Sequence, residues 1–206
     1  MILVFIYLIL FSIFLIALKL ALPYLKGKLG EYQVSQQAKL HLNEDYVLLE
    51  NITLPDGVGG TTQIDHIILS PYGIFVMETK NYTGWIFGSE RQKQWTQQIY
   101  RKKFKFQNPI HQNYKHVQVL AAQLAECVEP SHIHSVIIFL NQCEFKTQMP
   151  ANVCQGSAWL DYVDQFQTPV MNMEQIEKIE NNIQQHRLEA SFKTDLKHVQ
   201  HLKNRA

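Results

Sequence analysis

Charge is missing from the start of this 206-residue chain: between Met1 and Leu18 there is none, and almost no polar side chain. Apolar character resumes after Lys19 and lasts to Leu22, long enough to cross a bilayer. A secretory leader would carry basic residues before its apolar run and a small-residue cleavage site after it. Both are lacking, which argues against a removed leader and for a transmembrane anchor over residues 1–22. Lys19, Lys26 and Lys28 follow the span and no side-chain charge precedes it. The positive-inside rule then makes this a single-pass membrane protein with its folded part in the cytoplasm. Cysteine is scarce. Cys127, Cys143 and Cys154 have no C-x-x-C spacing and cannot all pair, which argues against a disulfide framework or a zinc site. They suit buried apolar positions in a reducing compartment. A net charge of +1 gives no global attraction to polyanions, so any nucleic-acid contact must rest on a local patch. No internal repeat or low-complexity block is present, and no second domain is needed.

After the anchor, Gly27 to Gly30 reads as a short flexible link, and Glu31 to Leu42 as a helix with Val34, Ala38 and Leu42 at fourfold spacing. Tyr46 to Leu54 reads as a strand ending in the turn-rich run Pro55 to Gly60. Asn81 to Gly88 holds a short extended segment with Trp85 and Phe87. Asn108-Pro109 is a helix start, with asparagine as cap and proline in the first turn. That helix carries Gln112, His116, Leu120 and Leu124 in one row. Val136 to Leu140 is a buried strand beside the first sheet. Residues 143–172 extend the domain. Residues 173–206 form a polar helical tail with Ile176, Ile179 and Ile183 as its apolar side, and its His186, His198 and His201 suit a solvated surface.

The chemistry centres on a hairpin. Gln63 to Leu69 and Gly73 to Lys80 read as strands around Ser70-Pro71-Tyr72-Gly73, with proline second and glycine last in the turn. A symmetric loop places Asp65 opposite Glu78 and Gln63 opposite Lys80. Like charges so placed are destabilising unless compensated. In alternation, Ile64, His66 and Ile68 share one face, and Gln63, Asp65, Ile67 and Leu69 the other. Two carboxylates with a lysine two residues on, inside apolar strands, make a seat for a divalent metal. Mg²⁺ takes oxygen ligands and keeps waters, so Asp65 and Glu78 suffice, with the Thr79 carbonyl and Glu31 nearby. Mn²⁺ is the alternative ion. Lys80 would stand beside the metal-bound water and the phosphate charge. Phosphodiester hydrolysis is the reaction these parts serve.

The run Gly30-Glu31, then Gln63 to Ile68, Gly73 to Gly84, Trp95, and Asn108 to Gln112 resembles the nuclease-related domain, NERD, over roughly residues 28–142. That domain is grouped with the PD-(D/E)XK nucleases. The resemblance implies an α/β fold with a mixed central sheet flanked by helices, here preceded by the transmembrane helix. It implies that Asp65, Glu78 and Lys80 match the catalytic triad, that Glu31 matches the acidic residue of the first helix, and that the substrate is nucleic acid, DNA first. Met77 departs from the isoleucine or valine common before the glutamate, which is a packing change only.

Other residues carry two readings. Gln112 and His116 are either a satisfied core-edge pair or contacts to the attacking water or a substrate phosphate, and Gln63 belongs with them as a substrate-side candidate. Glu31 either serves the helix dipole or joins the site. His66 faces away and reads as structural, and Trp85 and Trp95 as core aromatics. Arg101, Lys102, Lys103 and Lys105, interleaved with Phe104 and Phe106, are either a solvated face or a phosphate-backbone patch. The rival to a nuclease is a catalytically silent, membrane-tethered nucleic-acid-binding or signalling module. A nucleotide or RNA substrate is a third reading. The oligomeric state is not encoded in any of these features.

Overall fold

The computed structural model describes residues 2–140 and 142–188. The apolar start and the first domain helix are one element, α1 (Ile2–His41), which runs through Pro23 without a break. This corrects the flexible link expected at Gly27 to Gly30. Gly30 is a close-packing position: a Cβ there would stand 3.0 Å from Asn81 Cβ and 3.2 Å from a Leu140 methyl. The glycine lets α1 lie against the sheet ends while remaining helical. Every described side chain from Val4 to Leu25 is exposed, so the N-terminal part of α1 contributes nothing to the core.

Below that helix come β1 (Val47–Pro55), β2 (Thr61–Ser70), β3 (Gly73–Lys80), β4 (Gly84–Phe87), β5 (Gln94–Ile99), β6 (Lys102–Gln107) and α2 (Pro109–Gln123). They are followed by β7 (Ile133–Phe139), β8 (Cys143–Phe145), β9 (Val153–Gln155), α3 (Ala158–Val163) and α4 (Met173–His186). The main sheet has order β1-β2-β3-β7-β9, antiparallel across β1, β2 and β3 and parallel from β3 to β9. A second sheet of order β6-β5-β4-β8 packs beside it, so the expected single mixed sheet is accompanied by a smaller one. α2 and α4 cover one face of the main sheet through Leu120, Leu124, Ile176, Ile179 and Ile183. The C-terminal half of α1 and α3 cover the other through Val34, Ala38 and Trp159. Trp95 joins the sheets by stacking on Phe139 at 6.0 Å. Of the tail, α4 docks on the sheet, His186 is exposed, and His198 and His201 lie outside the described residues.

The hairpin register is the expected one, from Ser70↔Gly73 to His66↔Met77. There the ladder ends, so neither Asp65–Glu78 nor Gln63–Lys80 is a ladder pair. β2 continues along β1, while Glu78, Thr79 and Lys80 continue along β7. The two strands therefore fork. Simple alternation also fails here: Ile64 shares its core cluster with Ile67 and Leu69, not with Ile68. Opposite Asp65 stands Asn51 with φ of 54°, a left-handed turn of the backbone that asparagine tolerates. This twist re-aims the side chains on either side of it.

α2 starts as the sequence indicates. Asn108 is fully buried, its side-chain Oδ1 accepts from Ile110 N–H at 2.9 Å, and its Nδ2 donates to the carbonyls of Ser89, Glu90 and Gln92. Replacing a cap costs about 1 kcal/mol, and stranding buried carbonyls adds about 1–3 kcal/mol. Asn108→Ala should therefore lower the thermal midpoint by roughly 4 °C or more, read by circular dichroism. A midpoint unchanged from wild type would show that the cap does not hold this helix.

Candidate active site

The site lies in the fork between β2 and β3. Glu78 is buried at 3% exposure, and three side chains satisfy it. Lys80 Nζ donates to Glu78 Oε1 at 2.6 Å, Gln112 Nε2 donates to the same oxygen at 2.8 Å, and His116 Nε2 meets Oε2 at 3.1 Å. Gln112 Oε1 in turn accepts from Lys80 at 3.0 Å, which fixes the amide's orientation. Thr62 Oγ1 lies 2.6 Å from His116 Nδ1. The carboxylate can only accept, so Nε2 is the donor to Glu78, and the Thr62 hydroxyl holds the other ring nitrogen. Burial alone would push Glu78 up. The Lys80 ammonium and the His116 hydrogen bond outweigh it and hold the carboxyl at about 2. Burial likewise opposes charge on Lys80, but Glu78 reverses the sign and raises it.

Asp65 behaves in the opposite way. Burial, and then the carboxylates of Glu78 and Glu31, push it well above the usual range, against the Thr79 N–H and Lys80. Its Oδ2 accepts from Thr79 N–H at 2.7 Å, so this carboxylate bridges the fork where the ladder has stopped. Glu31 projects from α1 and pairs with Lys28 at 2.8 Å. Two carboxylates side by side thus have their titrations driven apart, which is a common mark of functional sites. Among the described residues no three His, Cys, Asp or Glu side chains form a ready metal cage. Mg²⁺ needs only one or two carboxylates, and the hard oxygens of Asp65, Glu78 and Glu31 suit it. Their mutual repulsion is also what a divalent ion would relieve.

The helical row brings Gln112 and His116 to Glu78, where both are satisfied by hydrogen bonds. Gln63 does not join it by hydrogen bond: it pairs with Thr53 and its amide donates to Asn51. His66 is structural, as expected. It meets Ser35 at 2.9 Å, and burial lowers it to about 4. Cys143 and Cys154 are buried, which pushes both thiols up to about 11, but Cys127 is exposed, contrary to expectation. Trp95 is core, whereas Trp85 is 45% exposed with Lys146 Nζ 4.7 Å from its ring centre. The basic run is the edge strand β6 and the turn before it. Arg101, Lys102, Lys103 and Lys105 are all exposed, with Lys105 donating to Thr96 Oγ1. Sequence reading missed Lys28 and Thr62. An i,i+3 spacing to Glu31 was available for the first, and no local signal marks the second.

A cleft of about 560 Å³ opens beside the site. Thr79 to Thr83 line it on one side, Gln97 and Ile99 on another, and Leu22, Pro23, Lys26 and Gly27 of α1 on a third. Lys80 thus faces both the buried carboxylates and an open cleft.

A β2–β3 fork that presents an aspartate on one branch and Glu-x-Lys on the other, with a helix-borne glutamate alongside, defines a domain of the PD-(D/E)XK nuclease type. Residues 26–140 match the sequence profile of the nuclease-related domain, and the chain belongs to that family. It is also 47% identical over 115 residues to an uncharacterized protein of Bacillus anthracis, a match covering 54% of each chain. The chain thus spans about half the length of that curated relative. No solved structure matches it.

Proposed function

We propose that the domain is a metal-dependent nuclease that hydrolyses phosphodiester bonds of nucleic acid, DNA first, at the surface of a membrane crossed by the N-terminal part of α1. The observation that carries this reading is Lys80, which donates to buried Glu78 beside Asp65 while lining an open cleft. Asp65, Glu78 and Glu31 are the residues that would hold Mg²⁺ or Mn²⁺. When bound, such an ion supplies Lewis acidity and a water made acidic enough to attack phosphorus. Lys80 presents its ammonium where negative charge grows on the phosphate. Lys80 and His116 keep Glu78 ionised, and Gln112 helps to fix its orientation. Lys19, Lys26 and Lys28 after the span support a cytoplasmic domain by the positive-inside rule.

One observation favours the second reading, a binding module without turnover. Both oxygens of Glu78 are already taken by protein donors, so ligating an ion means sharing or releasing one of them. The test is the full chain in detergent, incubated with single- and double-stranded DNA and RNA in Mg²⁺, Mn²⁺ or chelator. Divalent-dependent cleavage is expected, strongest on DNA. Binding that survives chelation, with no cleavage under either ion, would establish the silent module instead.

A further inference from the structure

The β5–β6 hairpin is the largest feature the nuclease reading leaves unused. Its tip is Tyr100, 93% exposed with φ of 53°, followed by Arg101. Cross-strand pairing sorts the flanking residues. Ile99↔Lys102 and Gln97↔Phe104 share the cleft face, while Gln98↔Lys103 lies on the opposite face with Trp85. Cations therefore stand on both faces and at the end, as a crown around the tip. A nucleic-acid strand lying along one face would use only part of that crown. A flat anionic surface met end-on would use all of it.

The position of the hairpin says which surface. β5 leaves the core at Trp95 and reaches the cleft with Gln97 and Ile99, where another wall is Leu22 and Pro23. About 20 helical residues cross the hydrocarbon of a bilayer, so Leu22 and Pro23 stand at its edge. Ile99 shares a cleft with that edge, and the exposed tip follows it by one residue. Tyrosine and tryptophan favour the headgroup level, and clustered lysine and arginine are drawn to anionic leaflets.

We propose that the hairpin tip, Tyr100 to Lys103, docks end-on onto the anionic surface of the bilayer that α1 crosses, giving the domain a second membrane contact. The docking rests on reading residues 2–22 as a span. It fixes rotation about α1 and keeps the mouth of the cleft next to Lys80 at a constant attitude to the membrane. A single helix alone would leave the domain free to swivel.

The test uses the full chain carrying Tyr100→Trp, reconstituted in vesicles of phosphatidylcholine alone or mixed with phosphatidylglycerol. Lipids brominated high on the acyl chain act as quenchers. Trp95 and Trp159 are fully buried and serve as background, and Trp85→Phe removes the remaining exposed indole. The reporter should be quenched in vesicles containing phosphatidylglycerol and much less in phosphatidylcholine alone. Reversing Arg101, Lys102 and Lys103 to glutamate should lower the docking equilibrium by at least about 10²-fold and abolish the difference. Quenching indifferent to phosphatidylglycerol and to charge reversal overturns the docking. So does a reversal variant that leaves quenching intact but loses single-stranded DNA binding in detergent, which would assign the tip to nucleic acid. Flotation after alkaline carbonate separates the two readings. A chain that stays with the vesicles yet shows no lipid-dependent quenching overturns the docking alone, whereas a chain washed off overturns the span and the docking with it.

Discussion

Lys80→Ala should lower divalent-dependent cleavage by about 10²–10³-fold, the loss typical of removing one preorganised charge-stabilising donor. The domain should still fold. Glu78 keeps the Gln112 and His116 hydrogen bonds when the ammonium is gone, so its charge is not stranded. Breaking a buried pair with no other partner costs about 3–5 kcal/mol, and these remaining donors keep the loss below that range. Single-turnover cleavage beside a circular dichroism melt separates the two effects. A wild-type rate in a folded Lys80→Ala chain removes the lysine from the mechanism.

Asp65→Asn should do two things at once: eliminate cleavage and raise thermal stability at neutral pH. The folded chain holds Asp65 well above its usual value of 3.8, so the protonated form is the one the fold prefers. Stability tied to Asp65 is therefore full below that usual value and is lost as pH rises through the raised one. Asparagine keeps an oxygen for the Thr79 N–H and never carries the charge. Its advantage should appear near neutrality, at about 2–4 °C per kcal/mol regained, and vanish in acid. Mg²⁺ should raise the midpoint of wild type and leave the variant unmoved, since an ion that binds only the folded state stabilises it. Glu78 works with the opposite sign. Held at about 2 against a usual 4.5, it contributes stability above 4.5 that is lost as pH falls toward 2. An Asp65→Asn chain less stable than wild type at neutral pH would show that the carboxylates do not repel as described.

The hairpin, the Asn108 cap and the row Gln112–His116 were legible because each is a local pattern: a turn tetrapeptide, a cap followed by proline, a fourfold spacing. The fork was not. Register alone extends the ladder through Asp65 and Glu78, and only the left-handed Asn51 on a neighbouring strand, with β7 on the far side, ends it early. The unbroken α1 was hidden for a similar reason. Pro23, Gly27 and Gly30 read locally as breakers, yet Gly30 is needed for its lack of a side chain against Asn81 and Leu140. The second sheet was obscured by its own composition, since β5 and β6 are largely polar and read as surface chain rather than strand. Trp85 followed from that, because a residue on an edge sheet need not be core.

An unbroken α1 also acts as a ruler. If residues 2–22 span a bilayer, the nine residues from Leu22 to Glu31 rise about 14 Å at 1.5 Å each. The headgroup layer takes up about 5–7 Å of that rise. What remains is close to the screening length of physiological salt, about 8 Å, so the leaflet's negative field reaches the carboxylates weakened to about a third. A polyanion approaching the carboxylates then meets only part of the repulsion of the lipid beneath it. The length of a helix, set in the sequence by where charge resumes, becomes an electrostatic clearance.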